Sequence, residues 1–375
     1  MSAHLKQDEP VTSNRLDGMK QGIVGQPLSR VDGLAKVTGT APYAAEYKID
    51  NVAEGVLVTA PITRGEVTSI DKDSVLSMPG VLAVLDDERL TTRAAQGTAN
   101  EAPQQDPTTV CYWGQPIAVV VAETFEQARD AAKHLKVEYR VHEGAPLDPH
   151  QVAPEEQEDE TVNRGDLDGA MARAAHTVDV EIATEGHASA AMEPHAAIAE
   201  WRDDKLTVHA SLQMPNYNIA ELADSLGIEE SDIRLVSRYV GGGFGSKLGI
   251  SEETVAAAVA ARELGRPVRV VMSRQQVFQC IMRRSETTQK LRLASDEEGK
   301  LDGFAHHALV SNLPGEEFAE PVLQSSHFLY GGENRQLKLE VARIHRMTAG
   351  SVRAPGEAVG MPALEVAMDM LAEKS

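Results

Sequence analysis

Four short segments of the chain hold residue types and spacings that could do chemistry. The first, YVGGGFGSKLG (residues 239–249), sets three consecutive glycines and Gly245 around Phe244. Glycine reaches positive φ and lets the backbone approach a ligand closely, because no Cβ intervenes. The N–H groups of such a loop, just ahead of an expected helix, could hold an anion or an oxo group. The spacing is not the G-x-G-x-x-G of dinucleotide-binding folds. Nor does the loop end in Gly-Lys-Ser/Thr as phosphate-binding loops do, because Ser246 precedes Lys247. A Gly-rich turn also has a purely structural reading, but a phenylalanine set among glycines favours a site. The second segment, AMEPHAAIAE (191–200), places Glu193 and His195 on either side of Pro194. Two such ligands alone seldom make a metal site, so a buried hydrogen-bonded pair ordering a strand entry is expected. The third, SVRAPG (351–356), sets Arg353 just ahead of Pro355. Its guanidinium could pair with a carboxylate or present five donors to an oxyanion or oxo ligand. The fourth, MRRSE (282–286), clusters Arg283, Arg284 and Glu286 ahead of an alternating strand and is expected at the surface. His306 and His307 are adjacent, so on a strand they would point to opposite faces and could not share a metal.

The elements that must position these residues follow from apolar periodicity. Short strands are expected over 55–59, 81–85, 117–122, 137–140, 177–182, 205–210 and 233–236. Helices are expected over 124–136, 214–226, 252–264 and 357–374. In the first of these, Thr124 is the N-cap with Gln127 three residues on, and Phe125, Ala128, Ala132 and Leu135 share a face. Residues 1–30 read as an extended polar arm, 31–145 as an α/β domain with a surface loop over 91–109, 146–162 as a solvated acidic linker (PEEQEDE holds five carboxylates), and 163–375 as a second α/β domain. The fold class is α+β.

The 375 residues suffice for two or three domains with a sizeable core. Fifty-seven acidic against 36 basic residues give a net charge of −21 with no basic stripe, which argues against a nucleic-acid partner. Two distant cysteines, Cys111 and Cys280, exclude an iron–sulfur or structural zinc cysteine cluster within the chain. No export signal is visible at the start, and no apolar run of about 18 residues suggests a membrane span. The cytoplasm is the default compartment, with the periplasm reached by export on a partner's signal as the alternative.

Taken together the segments resemble the molybdenum hydroxylases, the xanthine dehydrogenase and aldehyde oxidase family, in their large molybdopterin-binding subunit. GQPLSRVDGLAKVTGTAPYAAEY (25–47) is similar to the entry of that family's hammerhead domain. MEPHAAIAEW, SLQMPN, GGGFGSK and SVRAPGEAVGMPALE occur in the family's order and approximate spacing. The nearest resemblance is to bacterial aldehyde dehydrogenases whose molybdenum, flavin and iron–sulfur parts lie on separate chains. It implies a hammerhead-type α/β domain followed by the first molybdopterin-binding domain. It also implies a molybdenum–molybdopterin cofactor, with or without a nucleotide such as cytosine dinucleotide, that hydroxylates a carbonyl or heteroaromatic carbon with water-derived oxygen and passes electrons to iron–sulfur and FAD partner subunits.

By motif, Gln213 would donate to an oxygen ligand on molybdenum; Gly242, Gly243, Phe244 and Gly245 would form the loop beneath the metal; Arg353, with Ala354, would sit close to metal and cofactor and stabilise developing oxyanion charge. No side chain need ligate the metal, and Glu193 and His195 would be supporting architecture. Leu248 stands where purine-oxidising relatives carry a carboxylate, and Pro355 where they carry an aromatic. Both favour aldehydes as substrates, with N-heteroarenes second. The family's catalytic glutamate, its base, lies in a Gly-rich segment near the end of the full subunit that nothing in 1–375 matches, and Glu357 is not promoted to that role. The chain is therefore expected to be the first half of a subunit, inactive without a C-terminal half. A remnant or assembly module of the same fold is the alternative.

Overall fold

The computed structural model describes residues 22–23, 25–90 and 108–375. The expected arm over 1–30 and surface loop over 91–109 lie largely outside the described residues. The chain divides into two units, 1–42 and 43–375. In the first, Gly33–Val37 is a short helix preceded by Asp32, which pairs with Arg30 at 3.0 Å and Lys36 at 2.8 Å.

The second unit is α+β, built on two large sheets. The first has seven strands in the order Ile233–Val236, Lys205–Ala210, Ala196–Arg202, Val268–Val271, Ala53–Thr59, Pro116–Ala122, Val81–Leu85. Its strands come from both halves of the sequence: Ala53–Thr59 runs parallel to Val268–Val271, with Ala53 opposite Val268 and Gly55 opposite Val270. The helix Glu252–Leu264 lies against this sheet. Its run of alanines (Ala256, Ala257, Ala258, Ala260, Ala261) is fully buried, and Trp201 donates its indole N–H to the Ala258 carbonyl at 2.8 Å. Small side chains let a helix backbone lie close to a sheet, which a Leu-rich face would hold further off. A three-stranded sheet runs Thr109–Val110, Gly65–Asp71, Lys136–Val141; the helix Phe125–His134 packs on the strands Ala53–Thr59 and Pro116–Ala122 of the first sheet, and Thr124 and Gln127 form the expected capping box.

The second large sheet runs Glu155–Glu156, Asn334–Arg343, Leu301–Asn312, Thr287–Ser295, His176–Thr184. The helix Glu357–Lys374 covers it with Val359, Ala363, Leu364, Ala367 and Leu371, an i, i+4, i+8 stripe. Leu364 and Leu371, almost wholly buried, contribute roughly 1.5–3 kcal/mol each. His306 lies inside the sheet and His307 is exposed, as alternation requires.

Two expectations are corrected here. The acidic stretch is largely exposed as expected, but it is not a free linker: Glu155–Glu156 and Val162–Arg164 both pair with Asn334–Arg343. Glu155 meets Arg343 at 2.8 Å, Glu156 meets Lys338 at 3.4 Å and Glu160 meets His327 at 2.9 Å. Three of the five carboxylates are matched by basic side chains far along the chain. Arg283 and Arg284 are not at the surface either; they are 5% and 2% exposed, because each has a carboxylate partner, Glu286 and Glu320 respectively.

Burial pushes His195 and His306 down to about 4, so both are neutral in the folded chain near neutral pH. The unfolded chain takes up these protons near pH 6.5 and the folded chain only near pH 4, so stability is lost as pH falls through that window. Each histidine costs about 1.4 kcal/mol per pH unit there. Urea midpoints measured from pH 7 to pH 4.5 should fall progressively below pH 6.5; a flat profile down to pH 5 would contradict the neutral, buried assignment.

Candidate functional site

The residues singled out in the sequence meet where a loop leaving the first sheet touches a turn leaving the second. The loop, residues 239–250, links the strand Ile233–Val236 to the helix Glu252–Leu264; the turn, residues 351–356, leads into the helix Glu357–Lys374. They join backbone to backbone, with the Arg353 N–H donating to the Phe244 carbonyl at 2.8 Å. A Cβ on Gly245 would stand 2.0 Å from the Ser351 carbonyl oxygen, and one on Gly243 would stand 2.2 Å from the Gln213 side-chain oxygen. Glycine at 245 is required by this backbone contact, whereas a side chain at 243 would displace that of Gln213. The residues beside these contacts are strained: Phe244 has φ 54° and Ala354 has φ 53°. A non-glycine residue there costs about 1–2 kcal/mol, which surrounding contacts must offset.

Gln213, in the turn before the helix Pro215–Leu226, fixes the loop's middle. Its Oε1 accepts from the Gly245 N–H at 3.0 Å and the Lys247 N–H at 3.3 Å, while its own N–H donates to the Lys247 carbonyl at 2.7 Å. With the oxygen taken by two donors, the exposed side-chain NH2 is left to donate elsewhere. The Arg353 guanidinium is exposed too and makes no ion pair or hydrogen bond with any described residue. Phe244 is 48% exposed between them in the contact network. On the far side of the loop, Asn218 donates to the Leu248 carbonyl at 2.7 Å.

Beneath the loop lies a buried polar cluster. Lys247, 0% exposed, donates to the Glu193 carboxylate at 3.1 Å, the Glu193 carbonyl at 3.0 Å and the Ser211 hydroxyl at 2.9 Å. The Glu193 carboxylate also accepts from Ser211 at 2.5 Å, from the Gly241 N–H at 2.6 Å and from the Ala44 N–H at 3.2 Å. Burial alone would raise the Glu193 carboxyl, but Ser211, Gly241 and Lys247 outweigh it and hold it below the ordinary carboxylate value. Burial draws the Lys247 ammonium down against the pull of Glu193. His195 donates from Nε2 to the Ser246 carbonyl at 2.9 Å, leaving Nδ1 without a partner among the described residues. Glu193 thus ties Gly241 to Lys247 while His195 holds Ser246, and no group of three or more metal-ligating side chains occurs among the described residues.

The structure therefore brings Gln213, Gly242, Gly243, Phe244, Gly245, Arg353 and Ala354 into one neighbourhood. Leu248 and Pro355 follow in the same segments, both half-buried. Neither lines the recess of about 340 Å³ beside the loop, which is bounded by Tyr43, Met192, Glu193, Pro194 and Gly241. A larger cavity of about 590 Å³, lined by Trp113, Phe278 and Arg346 among others, contains no residue of either loop or turn. The sequence reading missed Ser211 and the anchoring roles of Lys247, Arg284 and Glu320. Nothing local in the sequence marks these four residues, because their partners lie 18 to 54 positions away.

Replacing Lys247 with Met would leave the Glu193 carboxylate buried and unpaired, which costs about 3–5 kcal/mol. Arg202, exposed and paired with Glu200 at 2.8 Å, is the control, since its replacement should cost less than about 1 kcal/mol. Urea unfolding of Lys247→Met and Arg202→Met checks this; equal losses would show that the buried pair does not hold the loop.

The molybdopterin cofactor-binding domain matches residues 122–375, and the aldehyde oxidase and xanthine dehydrogenase a/b hammerhead domain matches 38–143. The chain is 39% identical to the aldehyde oxidoreductase molybdenum-binding subunit PaoC of Escherichia coli over 99% of its own length and 51% of that protein. It is 28% identical to the nicotine 6-hydroxylase large subunit of Paenarthrobacter nicotinovorans over 97% of its own length and 47% of that protein. The chain thus spans about half the length of these curated relatives. Among solved structures it matches the aldehyde oxidoreductase of Desulfovibrio gigas with a TM-score of 0.81 at 26% identity, covering 92% of this chain and 41% of that one. Quinoline 2-oxidoreductase from Pseudomonas putida 86 shares the fold, with a TM-score of 0.82 at 21% identity over 92% of this chain and 48% of that one. With these two domains following one another along the described fold, the chain belongs to the aldehyde oxidase and xanthine dehydrogenase family of molybdopterin-binding proteins.

Proposed function

We propose that the chain is the part of a molybdenum hydroxylase that holds the loop and arginine turn against the molybdenum–molybdopterin group, in an enzyme that converts aldehydes to carboxylic acids. The observation that carries this reading is the pair of exposed donors without a protein partner among the described residues, the Gln213 amide NH2 and the Arg353 guanidinium, on segments that meet at residues 243–245. Neither donor is paired with a carboxylate among the described residues, and such a set fits an oxygen-rich, electron-rich group. The glycines at 243 and 245 let the loop close on Gln213 and Ser351, which brings the two donors together. When bound, the molybdenum–molybdopterin group supplies the oxygen-transfer and two-electron chemistry.

This chain's own residues then orient and stabilise. Gln213, its oxygen locked by two backbone N–H groups, would donate its NH2 to an oxygen of the cofactor. Gly242, Gly243, Phe244 and Gly245 would lie beneath the metal, with the Phe244 ring limiting water there. Arg353 would place its guanidinium where negative charge develops on the substrate oxygen; one such donor is worth about 3–4 kcal/mol of transition-state stabilisation. Leu248 and Pro355 would line an apolar approach that offers no carboxylate to a purine. The E. coli relative is named for aldehyde oxidation, whereas the names of the nicotine and quinoline enzymes support N-heteroarenes as a second substrate class.

In this reading the other wall of the site and the basic glutamate come from a further polypeptide region, and electrons leave through iron–sulfur and FAD partners. No helix among the described residues is long and apolar enough to cross a membrane.

The test is elemental analysis of the chain purified alone and co-purified with the region that matches the rest of its relatives, followed by an aldehyde screen in 18O-labelled water. Stoichiometric molybdenum only in the co-purified form, with label entering the carboxylate, is the expected result. Absence of molybdenum from both preparations would overturn the enzyme reading and favour a non-catalytic module.

A further inference from the structure

We propose that Arg284 is the positioning residue for Arg353, a buried guanidinium clamp that sets the backbone of the arginine turn and so aims the side chain at the site; the assignment rests on the role given to Arg353 under the proposed function. Arg284 is 2% exposed. Its Nη2 donates to the Val352 carbonyl at 2.9 Å and the Arg353 carbonyl at 2.5 Å, and its Nη1 reaches the Ala354 carbonyl at 3.5 Å. Three consecutive carbonyls of the turn thus converge on one planar cation. The same Nη1 donates to Glu320 Oε1 at 2.5 Å, and that oxygen also accepts the Gly356 N–H at 2.7 Å. The clamp therefore grips the turn on both sides of Ala354.

The turn needs such a grip. Ala354 is held at φ 53°, a conformation an alanine leaves readily unless neighbours enforce it. Turning its peptide away would break the Arg284 contacts to residues 352–354 and move the Arg353 Cα. Outside this clamp the Arg353 backbone is held by its N–H on the Phe244 carbonyl, and its side chain has no described partner to fix it. A lysine at 284 could not serve, because a single ammonium lacks the fork that spans adjacent carbonyls and a carboxylate at once.

The experiment has two readouts. In this chain, amide hydrogen exchange at Arg353 is measured in Arg284→Lys and in the double variant Arg284→Met/Glu320→Leu, which leaves no buried charge unpaired. The Arg353 amide bonds to Phe244, which neither variant touches, so its exchange reports the turn and not a deleted partner. Exchange at least tenfold faster at Arg353, with the helix Glu252–Leu264 unchanged, is expected. Exchange within twofold of the native chain in either folded variant overturns the clamp, as does failure of both variants to fold, which would make the pair purely structural. In the molybdenum-loaded assembly, Arg284→Lys should lower kcat at least tenfold with KM within twofold, and should lower it no further when Arg353 is already Lys. An equal loss in both backgrounds overturns the positioning role. If Arg353→Lys is itself as active as the native enzyme, the role of Arg353 fails, and the exchange measurement alone decides the clamp.

Discussion

The contact of Gly245 with Ser351 leaves no space for a side chain, and the site depends on it. Two chain segments that belong to different sheets touch there through backbone atoms alone, with the Ser351 carbonyl oxygen 2.0 Å from where a Cβ of residue 245 would be. For that contact to form, the seven-stranded sheet must present residues 239–250 at one of its ends, and the second sheet must deliver residues 351–356 to the same place. The Ala-rich helix Glu252–Leu264 starts directly after the loop and is buried against the first sheet. The helix Glu357–Lys374 starts directly after the turn and covers the second sheet. Each half of the site is thus anchored to a helix that cannot move without opening a core.

Buried charge holds the two sides in different ways. Under the loop, Lys247 and Glu193 form an ion pair whose remaining bonds go to Ser211 and to the backbone of residues 44, 193 and 241. Under the turn, Arg284 and Glu320 form a pair whose remaining bonds go to the backbone of residues 352–356. Such pairs add little net stability relative to well-packed apolar residues, but a broken one is expensive. Their effect is therefore to exclude alternative loop conformations, which is what strained residues such as Phe244 and Ala354 require. The Gln213 side chain is fixed through its oxygen and Arg353 through its backbone, which leaves their donors exposed.

Much of the fold was legible in the sequence, because its signals are local. The capping box at Thr124 and Gln127, the alternation over 205–210 and the Gly-terminated helices ending at Gly227 and Gly265 each depend on residues a few positions apart. The Gly-rich loop and the arginine turn were visible as separate segments, and their order identified the family. What the sequence did not show depends on distant partners. Arg284 reads as a surface charge until Glu320, 36 residues on, is seen to close over it. The acidic stretch reads as a linker until the strand Asn334–Arg343 offers Lys338 and Arg343 to its edge. The sequence does not show that the strand Ala53–Thr59, in the region matched by the hammerhead domain, pairs directly with Val268–Val271, in the region matched by the molybdopterin-binding domain. Parallel pairing of this kind leaves no trace in the sequence between its strands.

The most direct test of the account is the molybdenum and pterin content of the assembled protein carrying Gly245→Ala, compared with Gly265→Ala. Both glycines have positive φ, 106° and 60°, so both substitutions carry backbone strain, but a Cβ at 265 meets nothing within 4 Å. The account predicts that Gly265→Ala keeps its full complement of molybdenum while Gly245→Ala, still folded, loses at least nine-tenths of it. A folded Gly245→Ala protein with native molybdenum content would contradict the claim that the junction of loop and turn builds the site.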